Sequence, residues 1–343
     1  MSVQIKSPMS PLGGKLSTRL SKAATVFPSH VRRSFLSNPT DYTGELVRLL
    51  DDISTQTHAI SAFVSEGSEN IQYGAVGQRQ MDADFATRHL YRSLSHDGYA
   101  CLILAKNRQQ PLTFPEEVPH GGYVVCMSAL DADPRAVDQP ICGTIFSIYK
   151  RKSSTSLPGK YVDLQQQASD QVAAGFVVYG PSTVLYYTMG HGLYSFVLHP
   201  VAMQYFLQPD QRLTINEANL AVYGKRTIVN SQTPLGKGVK KYMDETDNVK
   251  MYHTGCMAGN VALMLPNGGV LIKPDAHFLC EAAPLAFIIE QAGGLATNGE
   301  GARILDLGVD EDYQMKTGFL AGVESIVNSI EKCGREGAND ASK

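Results

Sequence analysis

The chain has 343 residues, a formal net charge of -3, 43% hydrophobic and 18% charged residues. Its length supports one large domain or two fused ones, and its near-balanced charge offers no electrostatic handle to nucleic acid or an anionic membrane. No run of about eighteen apolar residues predicts a membrane span, and the six cysteines (Cys101, Cys126, Cys142, Cys256, Cys280, Cys333) show no metal-ligand spacing and read as buried free thiols.

The first forty residues carry Lys6, Lys15, Arg19, Lys22, Arg32 and Arg33 and many serines, with no acid before Asp41. Two readings fit. One is a transit peptide that would direct the chain to a plastid or mitochondrion. The other is the basic tail of a cytoplasmic protein, kept irregular by Pro8, Pro11 and Pro28. Organised structure is expected from Thr43, an N-cap for an amphipathic helix over about 43 to 64. There Leu46, Leu49, Leu50, Ile53, Thr57 and Ile60 recur at helical spacing and Glu45 favours the first turn. A second helix is predicted over about Met81 to Leu94. Short β-rich runs follow at Tyr99–Leu104, Tyr123–Met127, Gly143–Tyr149, Val172–Tyr179, Thr183–Met189 and Ser195–Leu198. From Leu213 onward helical and strand patterns mix, down to a last helix near Val323–Lys332. Elements that neither alternate strictly nor segregate imply layered helices and sheets.

Two stretches carry chemistry. Residues 121–133 read as a buried strand ending in a tight turn that presents Asp131 and Asp133, a place where rigid scaffolds hold metal or phosphate. Residues 281–294 read as a helix with Pro284 in its first turn and Gly293-Gly294 at its C-cap. Glu281 stands at the start of that helix, after Phe278-Leu279-Cys280. Its carboxylate is there either as a capping anion or as a functional ligand.

Thr43-Gly44-Glu45-Leu46, Leu130-Asp131, Gly143-Thr144-Ile145-Phe146, Gln171-Val172-Ala173-Ala174-Gly175, Tyr179-Gly180-Pro181-Ser182-Thr183, Thr254-Gly255-Cys256-Met257 and the Glu281 helix fall in one order at compatible spacing. Collinear from about 43 to 325, they resemble the class I sugar bisphosphatases, the fructose-1,6- and sedoheptulose-1,7-bisphosphatase family. The resemblance implies a layered α+β sugar-phosphatase fold of two fused α/β subdomains. It places a basic tail over 1–40, a subdomain with the regulatory helix and signature loop over 41–205, a sugar-phosphate-binding subdomain over 206–335, and a tail over 336–343.

In that family an acidic cluster holds magnesium ions that bridge the sugar phosphate and activate a water. By the resemblance, Asp84, Asp131, Glu281 and the carbonyl of Leu130 are the remaining metal ligands, with Asp84 and Asp131 the catalytic remnants. Asn230, Tyr252, His253 and Lys273 fall at substrate-binding positions. Gly44, Glu45, Leu46, Tyr123 and Lys150 fall around the family's AMP site, where the helix serves nucleotide binding or simply packing and subunit contact. Departures are numerous. Ser128 replaces the first signature aspartate, and Lys106, in Ala105-Lys106-Asn107, stands where a metal-bridging glutamate belongs. Ala132, Asp133 and Pro134 replace the phosphate cradle, and Asp275 and His277 replace basic residues. A shifted alignment would supply the glutamates from Glu116-Glu117 instead.

Two functions follow as expectations. The first is a catalytically impaired member of the family, a regulatory or scaffold protein with no metal requirement, forming a homodimer or homotetramer or pairing with an active paralogue. The alternative is a divergent magnesium-dependent phosphatase acting on the 1-phosphate of fructose-1,6- or sedoheptulose-1,7-bisphosphate. Either would take a sugar phosphate or nucleotide as ligand, with no nucleic-acid or membrane partner.

Overall fold

A computed structural model of the protein describes residues 25–37, 44–66, 83–132, 141–208, 212–217 and 220–340. Three helices come first, α1 (Phe27–Ser37), α2 (Gly44–Glu66) and α3 (Ala83–Leu94). Strands β1 (Ala100–Ala105), β2 (Leu112–Thr113), β3 (Tyr123–Asp131), β4 (Cys142–Lys150), β5 (Gln171–Tyr179), β6 (Val184–Thr188), β7 (Tyr194–His199) and β8 (Gln204–Leu207) follow. These form one sheet in the order β2-β1-β3-β4-β5-β6-β7-β8, with β1 and β3 parallel. The rest of the chain supplies β9 (Ala221–Tyr223), α4 (Pro234–Glu245), β10 (Lys250–Tyr252), α5 (Met257–Asn267), β11 (Val270–His277), α6 (Ala283–Gln291), β12 (Leu295–Thr297), β13 (Lys316–Gly322) and α7 (Glu324–Asp340). Its five strands make a second sheet, β10-β9-β11-β13-β12.

The layers follow from which helix faces are apolar. On α2 the stripe Leu46, Leu49, Leu50, Ile53 and Ile60 is buried while the opposite side is polar, so α2 lies on an outer face. Helix α6 is apolar nearly all round and therefore needs protein on both sides. Together with α5 it lies between the two sheets. One core packs α1–α3 against the large sheet; the other joins that sheet's opposite face to α5, α6 and the small sheet. Helices α4 and α7 pair on the far side. With both faces covered, β3 is buried along its whole length.

Two departures from the sequence reading matter. Residues before Thr43 are not all tail, because Phe27–Ser37 is helical and part of the folded body. The Phe27 ring packs edge-on against Tyr187 and Phe196 at centroid distances of 4.9 and 5.2 Å. Pro28 is compatible because it falls in the first turn, where its missing N–H has no partner to lose. Second, Ser128–Asp131 is not a tight turn but the end of β3. The other five strand ranges expected from sequence match β1, β4, β5, β6 and β7 to within one or two residues, whereas β2 and β8 have no counterpart in the sequence reading. Residues 1–24, the Thr43 cap, Met81, Asp133 and Pro134 lie outside the described residues.

Candidate functional site

A defect in register aims the first functional carboxylate. Along β3, Tyr123, Val125, Met127 and Ala129 face the core under α1–α3, while Val124 and Cys126 face the α5 side. Strict alternation would turn Asp131 toward α1–α3. Between the pairs Ser128↔Ile145 and Asp131↔Gly143, however, β3 holds one more residue than β4. This bulge reverses the alternation, sending Leu130 into the α1–α3 core and Asp131 toward α5. There Asp131 Oδ2 accepts the backbone N–H of Ala258, in the first turn of α5, at 2.9 Å. A carboxylate in that position satisfies a donor the helix leaves unpaired and meets the positive end of its dipole.

The second carboxylate is positioned by a π-helical turn, Phe278–Ala282, wedged between β11 and α6. The wider turn rotates Glu281 back toward β11, where Oε2 accepts the His277 backbone N–H at 2.9 Å. Glu281 is wholly buried. Lys106, the residue after β1, donates from Nζ to Glu281 Oε1 at 2.5 Å. Lys273 Nζ, from a second bulge in β11, reaches Oε1 and Oε2 at 3.0 and 3.1 Å. Pro274, which has no N–H to contribute to the ladder, sits within that bulge.

Burial alone would raise the Glu281 carboxyl, but the ammonium groups of Lys106 and Lys273 outweigh it and hold the group at about 2. Burial also opposes the Lys106 charge, yet Glu281 and Asp131 together keep that ammonium above its ordinary value. At Asp131 burial prevails. Lys106 opposes the rise only in part, and the Glu281 charge adds to it, so this carboxyl is raised.

Lys106 and Asp131 line a cleft of about 510 Å³ with Lys225, His253, Asn260, Lys273 and Asp275. The remaining predicted residues divide. Asp84 lies at the start of α3, half exposed and outside the cleft lining, bonded to Asn107 Nδ2 at 2.8 Å and paired with Arg108 at 3.4 Å. Ser128 is buried in β3. His253 and Lys273 line the cleft, but Asn230 is exposed in a turn outside its lining. Tyr252 stacks on Tyr223 at 5.6 Å beside a separate cavity. Glu116 and Glu117 sit in an exposed turn, so the shifted alignment brings no glutamate to the junction. The AMP-site positions do converge. Tyr123 pairs directly with Lys150, and the neighbouring Gly122 faces Glu45, beside Gly44 and Leu46 in the first turn of α2.

Sequence reasoning missed the Ala258 N–H, although Cys256 carries a readable signal as the α5 N-cap, accepting the Gly259 N–H at 3.2 Å. Lys273, which the resemblance sets at a substrate position, lines the cleft and also pairs with Glu281.

The donor set does not suit magnesium, which requires several available oxygens in near-octahedral array. Both Glu281 oxygens are taken by two ammonium groups and a backbone N–H, and one Asp131 oxygen by Ala258. Among the described residues no cluster of three or more His, Cys, Asp or Glu side chains is arranged to hold a metal ion. No helix among them is long and apolar enough to cross a membrane.

Comparison with known proteins gives concordant matches. The family model described as "Fructose-1-6-bisphosphatase, N-terminal domain" matches residues 35–210, and its C-terminal counterpart matches 221–335. The chain is similar to the class 1 fructose-1,6-bisphosphatase of Chlorobium chlorochromatii, 31% identical over 317 residues, covering 84% of this chain and 92% of the relative. The Chloroherpeton thalassium enzyme is 30% identical over 327 residues, with coverage of 86% and 90%. In fold, it is similar to the holo form of Leishmania major fructose-1,6-bisphosphatase, with a TM-score of 0.80, 21% identity, and coverage of 91% of this chain and 99% of that one.

Proposed function

The chain belongs to the fructose-1,6-bisphosphatase family, and from that premise we propose that it serves carbohydrate metabolism as a catalytically impaired member with a regulatory or scaffold role. The carrying observation is the Lys106–Glu281 ion pair at 2.5 Å, beside Asp131. Hydrolysis of a phosphate monoester needs concentrated positive charge that stabilises the transferring phosphoryl group and activates a water. Here the ammonium groups of Lys106 and Lys273 are spent on Glu281, and Asp131 has a carboxyl that burial makes hard to ionise.

The test is phosphate release from fructose-1,6-bisphosphate and sedoheptulose-1,7-bisphosphate with Mg²⁺ or Mn²⁺. No release above background is expected. Metal-dependent release that disappears in Asp131→Ala would overturn this reading in favour of a divergent sugar bisphosphatase.

A further inference from the structure

We infer that the Lys106 ammonium is a built-in cation that takes a divalent ion's place at Glu281, in the cleft that Asp131 also lines, so that this centre assembles without metal and excludes it. The inference rests on the family assignment and deepens the functional reading above. Three observations carry it: geometry, charge balance and anchoring.

In geometry, Lys106 Nζ lies 2.5 Å from a fully buried carboxylate oxygen, and Lys106 and Asp131 line the same cleft. A buried carboxylate must be paired to stay ionised, and here pairing comes from within the chain. In charge balance, two ammonium groups, Lys106 and Lys273, sit on the single Glu281 carboxylate, so a dication arriving at that carboxylate meets no net negative charge. In anchoring, the segment that carries Lys106 is fastened on three sides. The Lys106 N–H donates to Met127 O at 2.9 Å and the Arg108 N–H to Ala105 O at 2.9 Å. Asn107 holds Asp84 at 2.8 Å, and Gln314 Nε2 donates to Arg108 O at 3.0 Å. The tethered ammonium therefore loses no translational freedom when it pairs, whereas a free ion does.

Removing Lys106 should uncover a latent metal site. Taking one unit charge from about 4 Å of a dication changes affinity by about thirtyfold even in a water-like dielectric, and by more in a buried one. The experiment titrates MnCl₂ into the full chain, follows free Mn²⁺ by electron paramagnetic resonance, and records thermal unfolding with and without EDTA. Wild type is expected to bind no Mn²⁺ at this centre and to unfold at the same temperature with and without chelator. Lys106→Ala should bind at least about thirtyfold more tightly than wild type, and Mn²⁺ should raise its unfolding temperature. If the alanine variant does not fold, Lys106→Gln provides the same comparison.

Wild-type Mn²⁺ binding that Glu281→Gln abolishes would overturn the inference, whatever the activity. Equal affinity in wild type and in a folded Lys106 variant would overturn it too. Phosphate release that resists EDTA would refute catalytic impairment and leave the built-in cation standing, so the two readings fail separately.

Discussion

Replacing Glu281 by glutamine preserves shape and removes one charge at the most enclosed point of the junction. In the wild type this carboxylate has no solvent exposure and receives Lys106 Nζ, Lys273 Nζ and the His277 N–H. Its carboxyl is held at about 2 against an ordinary 4.5, which corresponds to roughly 3 kcal/mol of stability at neutral pH. Breaking one partner of a buried ion pair independently suggests a loss of about 3–5 kcal/mol. Because the folded-state value is depressed, this stability is complete above pH 4.5 and is lost as the pH falls toward 2. Asp131 works in the opposite sense. Its raised value means that its contribution is present in acid and lost as the pH rises through the folded value. The wild-type slope is therefore a difference, and comparison with the variant isolates Glu281. The assay is urea unfolding of both proteins from pH 8 downward. At neutral pH the gap should be about 3 kcal/mol, constant to near pH 5 and shrinking below 4.5. A gap under about 0.5 kcal/mol at pH 7, within the range of ordinary surface substitutions, would refute the reasoning. So would a gap that does not change in acid.

Further perturbations test the supporting geometry. Asp131→Ala leaves the buried Ala258 N–H unpaired and should lower stability by about 1–3 kcal/mol, whereas Asp131→Asn keeps an acceptor and should lose clearly less in the same denaturant titration. Gly143→Ala would place its Cβ 2.5 Å from Ala258 Cβ and 2.6 Å from Val177 O, forcing β4 and α5 apart. A loss of about 1–3 kcal/mol is expected, with Gly44→Ala, which meets nothing within 4 Å, as the near-neutral control. Phe27→Ala should lower stability by about 3–5 kcal/mol in chemical denaturation, since its ring fills a pocket between Tyr187 and Phe196. A neutral result would return α1 to the tail.

Much of the architecture is readable from local pattern. The apolar stripe of α2, the β-branched run of β3 and the Pro284 and glycine signals around α6 each depend on residues close in the chain. Helix α1 escaped because its apolar residues are few and its composition is basic; contact with α2, β8 and the rings of Tyr187 and Phe196 makes it part of the core. The site residues divide by the same logic. Asp84, Asp131 and Glu281 all stand out in sequence as carboxylates beside regular elements. Glu281 pairs with Lys106, which shares its cleft with Asp131, while Asp84 is drawn aside by Asn107 and Arg108. The bulge in β3 has no composition signal, yet it decides which way Asp131 points.

By itself the sequence determines the family, the layered order of helices and strands, and the presence of a lysine where an acidic ligand would be expected. Those properties are written in residue types and spacing, and they survive without knowledge of any distance. Only the tertiary structure decides what that lysine does. Lys106 and Glu281 are separated by 175 positions in the chain, and a charge that would repel a metal ion from solvent instead closes onto a buried carboxylate at 2.5 Å. Burial turns the substitution into a bond, because an ionised carboxylate removed from water must find a partner within the fold.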